Sequence, residues 1–89
     1  MITHVAIFDP NTNTRYVLPR PFRHHHIYHF SKYLGKGQHK LPLVEGFEAD
    51  LNFLTRLEAY TVAVATGQLN RRVGAQYYQG PELFSEDLW

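Results

Sequence analysis

The sequence predicts a small single-domain α+β protein with an N-terminal β-hairpin, two main helices and a short docked C-terminal tail. Three observations predict it. Two stretches rich in β-formers, Thr3 to Phe8 and Arg15 to Leu18, flank the turn cluster Asp9-Pro10-Asn11-Thr12-Asn13. Two later stretches carry apolar residues at spacings of three and four, the period of an amphipathic helix. A hydrophobic fraction of 44% and an aromatic fraction of 15% over 89 residues describe one modest packed core, not a disordered chain.

The elements follow in order. Residues 1–20 read as the hairpin, closed by Pro19, because proline cannot donate to a strand ladder. Residues 21–35 read as helix one. Pro21 suits a first helical turn, and Phe22, His26, Phe30, Tyr33 and Leu34 form an apolar stripe with Ile27 beside them. Gly35 is placed to cap its end, and Lys32 complements its dipole. Residues 36–54 read as a loop and a short strand over Leu43 to Ala49, with a turn at Asp50-Leu51-Asn52. Residues 55–67 read as helix two. Thr55-Arg56-Leu57-Glu58 is a capping box, and Leu57, Tyr60, Thr61 and Val64 are the expected buried stripe. Gly67 ends the helix. Residues 68–89 read as a surface loop and an acidic, aromatic tail. Leu83, Phe84 and Trp89 are expected to dock that tail, with Ser85 capping its single turn.

Composition excludes several classes of function. A net charge of +1 gives no bulk attraction to nucleic acid and no polybasic membrane patch. With no cysteine, neither a disulfide framework nor a thiolate zinc site is available. No apolar run approaches the ~20 residues of a membrane span, so no membrane association is expected. A cytoplasmic location in the host cell is the expectation. The aromatic surplus of six Phe, six Tyr and one Trp exceeds what so small a core needs. It predicts a pocket or an interface, and with so small a core a homo-oligomer, at least a dimer, is expected.

The chemistry concentrates in Arg23-His24-His25-His26-Ile27-Tyr28-His29, which holds four of the six histidines. Arg23, His24 and His25 fall in the first helical turn, where free backbone donors and the dipole favour an anion. Arginine adds a bidentate clamp for phosphate or carboxylate. The ligand-binding candidates are therefore Arg23, His24 and His25, with Arg71 and Tyr77 placed to cover a base by charge and stacking. The competing anion is the protein's own: Glu82, Glu86, Asp87 or the Trp89 carboxylate. His25 and His29, four apart, are the catalytic candidates for acid–base or metal-assisted chemistry. A metal would need a further ligand, for which Glu48, Asp50, His39 and Glu86 are the available donors, none placed by spacing. Neither a metal site nor a cofactor is expected. The plain alternative makes the histidines structural, with His26 half-buried, His24 and His25 meeting backbone or solvent, and His29 exposed.

Five segments occur together: Arg23-His24-His25-His26-Ile27, Gly46-Phe47, Arg56-Leu57-Glu58-Ala59, Gly67-Gln68 and Leu83 to Trp89. In this order they resemble a group of small proteins encoded by bacterial viruses, over roughly residues 20–89. The resemblance implies a bacteriophage origin, with the N-terminal hairpin as an addition, and implies no activity. The leading functional expectation is a non-enzymatic phage accessory protein that binds a small anionic ligand. A nucleotide immune signal, sequestered as counter-defence, is the specific form of it. The alternatives are a His-dependent phosphodiesterase or nuclease, and a protein-binding inhibitor whose aromatic tail docks on a host enzyme.

Overall fold

The computed structural model of the protein describes residues 1–31, 34, 40–70 and 82–89. These residues form a four-stranded antiparallel sheet in the order β2-β1-β3-β4. The strands are β1 (Ile2–Asp9), β2 (Thr14–Pro19), β3 (Val44–Ala49) and β4 (Asn52–Thr55). Helix α1 (His24–Phe30) joins β2 to β3, α2 (Arg56–Thr66) follows β4, and a 3-10 turn (Ser85–Asp87) lies near the end. The expected α+β class, hairpin, two helices and docked tail are all present among the described residues.

The β1–β2 hairpin closes as its turn residues dictate. The Asp9 carboxylate accepts from the Asn11 amide at 2.9 Å, the Asn11 side chain at 2.8 Å and the Thr12 hydroxyl at 3.2 Å. This Asx-type turn satisfies a carboxylate that is fully buried. Asn11 also exchanges two hydrogen bonds with the Leu41 main chain, which ties the turn to the approach to β3.

Strand alternation puts Val5, Ile7, Phe47 and Ala49 on one face of the sheet, and a register shift in β1 between Ile2 and His4 brings Ile2 to it as well. Both helices and the tail pack there, through Ile27, Ala59, Ala63 and Leu83, with Leu34 in the same cluster. The opposite face carries Phe8 and Phe53, whose ring centroids are 6.0 Å apart. Gly46 is required beneath Phe53, because a Cβ there would overlap the Leu54 carbonyl oxygen and come within 2.7 Å of the ring.

Six expectations are corrected. The chain expected as loop after the short strand contains β4, which pairs Phe47 with Leu54 and Glu48 with Phe53. The turn is Asp50-Leu51, both at positive φ, and Asn52 already belongs to β4. Helix one begins at His24 with Arg23 extended at its N-cap, not at Pro21. Its buried residues are His24 and Ile27, whereas Phe30 is 61% exposed. The expected Phe22–His26–Phe30 stripe is instead an edge-to-face aromatic stack outside the core. Helix α2 starts and stops as expected, at the Thr55/Glu58 capping box and a left-handed Gly67. It packs through Ala59 and Ala63, however, leaving Leu57 54% and Val64 52% exposed. Alanine lets the helix approach the sheet closely; Tyr60 and Val62 flank it, partly buried against the same cluster. In the tail, the Phe84 amide at the head of the 3-10 turn is capped by the Asp87 carboxylate at 2.9 Å, not by Ser85.

Candidate functional site

Two polar clusters and one cleft meet at α1. The first cluster lies at its N-terminus. The Arg23 guanidinium pairs with Glu86 at 3.1 Å and donates to the Trp89 main-chain oxygen. The Trp89 indole donates to the Phe22 carbonyl at 2.8 Å. The Arg23 amide, an orphan donor of the first turn, is taken by the His26 Nδ1 at 2.8 Å. The competing anion foreseen from the sequence, a carboxylate of the tail, thus occupies the helix start. Burial opposes ionisation of Glu86, but its backbone hydrogen bond and the Arg23 charge outweigh that and hold its pKa below the ordinary carboxylate value.

The second cluster lies under the inner face of α1. His24 is buried and donates Nε2–H to the Gly46 carbonyl at 2.6 Å, its ring edge-on to Phe47 at 5.1 Å. Burial is the main cause that lowers its pKa, and the nearby Arg56 charge adds to it. Tyr28 donates to the Glu45 carboxylate at 2.9 Å. Arg56 pairs with the other Glu45 oxygen, donates to the Leu83 carbonyl at 3.0 Å and lies over the Phe84 ring at 4.5 Å. Desolvation pushes the Glu45 pKa up, yet the hydrogen bonds from Tyr28 and Arg56 prevail and lower it. Burial and the bond to Glu45 push the Tyr28 phenol up to about 12. Tyr28, Glu45 and Arg56 were not expected from the sequence. Their signal is faint: a glutamate on a half-buried strand and an arginine just past a capping threonine.

The remaining candidates are scattered. His25 and His29 are exposed on α1. His25 stacks on His26 at 4.0 Å between centroids, and His29 meets Phe30 edge-on at 5.5 Å. Arg71 and Tyr77 lie outside the described residues, as does His39. Among the described residues no group of three or more His, Asp or Glu converges to hold a metal ion. His26 is half-buried, His24 meets the Gly46 main chain, and His25 and His29 face solvent.

The cleft lies on the other side of α1. It has a volume of about 550 Å³ and is open to solvent. One wall is four consecutive β2 residues, Arg15 to Leu18, and the other is Ile27, Phe30 and Ser31 of and just after α1. Its lining is mostly apolar.

A family model described as phage T4 y16D protein matches residues 1–89. The chain belongs to the phage T4 y16D protein family. The match covers the N-terminal hairpin, so the hairpin is part of the family's pattern and not an addition to it. No match was found among curated proteins or among solved structures. No helix among the described residues is long and apolar enough to cross a membrane.

Proposed function

We propose that this member of the phage T4 y16D family acts by binding, and that it takes a segment of a partner protein into the cleft between β2 and α1. The cleft carries the proposal: an open, apolar concavity of about 550 Å³ beside an exposed Phe30 ring. Exposed aromatics at the rim of an apolar groove are the usual anchors of protein recognition. The tail is a poorer candidate for that role, because Leu83 is fully buried and Trp89 is hydrogen-bonded to Phe22. The small-anion reading, including a nucleotide immune signal held for counter-defence, drew on Arg23 and His24. Arg23 is paired with Glu86, and His24 is bonded to Gly46. In a phage setting the partner is a host protein, and inhibition is the consequence that follows from occupying it.

The test compares capture from host lysate by the wild-type chain, Phe30→Glu and Arg23→Ala, together with melting curves in the presence of nucleotides. Phe30→Glu removes the edge-to-face contact with Phe22, at a cost of about 0.5–1.5 kcal/mol. The variant is expected to lose the captured protein while still melting in one cooperative transition. Capture undiminished in Phe30→Glu, together with a nucleotide-induced melting shift that Arg23→Ala removes, would establish the small-anion reading instead.

A further inference from the structure

We propose that the outer edge of β2 is a self-association surface. Two copies of the chain pair β2 to β2, antiparallel, about a two-fold axis at Tyr16, and so join their sheets into one. This goes beyond the reading of the cleft and does not rest on it.

The first observation is the length of the open edge. β2 is the terminal strand of the sheet, paired only with β1 among the described residues. Antiparallel ladders alternate, and the bond from the Arg20 amide to the Thr3 carbonyl sets the phase. Thr14, Tyr16 and Leu18 therefore turn their main-chain groups toward β1, and Arg15 and Val17 turn theirs outward. Among the described residues no hydrogen bond reaches those outward groups. The row is closed at both ends. Pro19 has no N–H, and its carbonyl accepts from the Phe22 amide. On the other side the strand gives way to the turn at Asn13, whose φ is positive. Two donors and two acceptors remain.

The second observation is that this short row is its own complement. With Tyr16 opposite Tyr16 of the second copy, Arg15 of each copy faces Val17 of the other. Each of these two pairs exchanges both of its N–H···O=C bonds, so the outward groups of both copies are all satisfied. The neighbouring registers do worse. Val17 opposite itself leaves Arg15 facing Pro19, which has no donor and whose carbonyl is taken. Arg15 opposite itself sets two cations against each other and leaves Val17 facing the turn. One register of the chain against itself is thereby singled out.

The third observation is that nothing guards the middle of this edge. Strand edges that stay solvated in natural proteins carry a charge, a proline or a bulge. The single cation of β2, Arg15, is drawn across the sheet to Glu48 at 3.4 Å and the Leu51 carbonyl at 3.1 Å, away from the edge. Proline stands only at the strand's end, and the ladder to β1 runs without a register shift. Val17, at the centre, is 40% exposed. In the paired register it lies beside the Arg15 stem of the second copy, and no cation meets a cation. The axis of such a pair stands perpendicular to the sheet, so both copies of α1 lie on the same side. Their clefts then open onto one another above the two Tyr16 side chains, which lengthens the cleft and does not fill it.

The test is sedimentation of the intact protein together with single cysteines, which report the register because the chain has none of its own. The wild type is expected to sediment as a dimer. At the axis the two Cα atoms of a non-hydrogen-bonded pair stand about 4.5 Å apart, within reach of a disulfide. Tyr16→Cys is therefore expected to cross-link two copies under mild oxidation. Val17→Cys, which meets its counterpart only on the diagonal, is not. Val17→Pro removes an outward donor and costs the β1 ladder nothing. It is expected to weaken the dimer about tenfold or more, since two bonds are lost per pair. Should the proline disturb the hairpin, the two cysteine variants carry the test. A monomer at every concentration overturns the proposal, as does a dimer that withstands Val17→Pro. Cross-linking through Val17→Cys in preference to Tyr16→Cys overturns the register. Capture lost in Phe30→Glu bears on the cleft and the mass of the wild type on the edge, so the two readings fail separately.

Discussion

At the scale of single residues, the histidine run divides by burial. His24 donates to Gly46 from a buried position, and desolvation lowers its pKa below the ordinary 6.5. The native state therefore releases this proton at a pH where the unfolded chain still holds it. Stability from His24 is full above about pH 6.5 and is lost as pH falls through the lowered folded value. Glu45 and Glu86, both lowered, add loss of the same sign at more acidic pH. A melting series from pH 7.5 to 5 is expected to fall steadily in wild type. His24→Gln, which keeps a donor but cannot titrate, is expected to flatten that part of the curve. An unchanged slope would mean that His24 does not titrate differently in the two states. The sequence made histidine chemistry visible but not its direction, since burial of one imidazole among four is set by which face of α1 meets Phe47. Glu45 and Arg56 were illegible for a related reason: they come together only when β3 and α2 share one face of the sheet.

At the scale of elements, the tail is a structural member of the domain. Leu83 is fully buried, its amide donates to the Arg56 carbonyl and its own carbonyl accepts from the Arg56 guanidinium. Asn70 donates to Asp87 at 2.7 Å, and Arg23 grips Glu86 from the other side. Leu83→Ala is expected to cost about 2–5 kcal/mol in urea unfolding, the range for a truncated core leucine. A loss below about 1 kcal/mol would place the tail outside the cooperative unit. Local signals served well where the cause is local: the Asp9–Asn13 turn, the Thr55/Glu58 box and Gly67 all stand where composition put them. They served poorly where packing decides. The helical period of α2 ran through both its alanines and its larger residues, and only the closeness of the sheet selects Ala59 and Ala63 for the inside. β4 escaped notice because four residues are too few to show alternation.

At the scale of the whole molecule, the order β2-β1-β3-β4 divides the labour of α1. Its inner face and N-terminus hold Gly46, Glu45 and the tail, so His24 and Arg23 are engaged within the fold. Its outer side, with the free edge of β2, forms the cleft. That arrangement could not be read from the chain, because the edge position of β2 follows from β3 pairing on the far side of β1. The aromatic surplus was legible in the sequence, and Phe30 is one of its rings that stays exposed. The most direct measurement places a photo-crosslinking amino acid at position 30, and separately at position 64 on the exposed side of α2, in the otherwise native chain. Irradiation in host cells is expected to give one discrete adduct from position 30 and none from position 64. Adducts from position 64 alone, or none from position 30 while the protein still captures its partner, would contradict the assignment of recognition to the β2–α1 cleft.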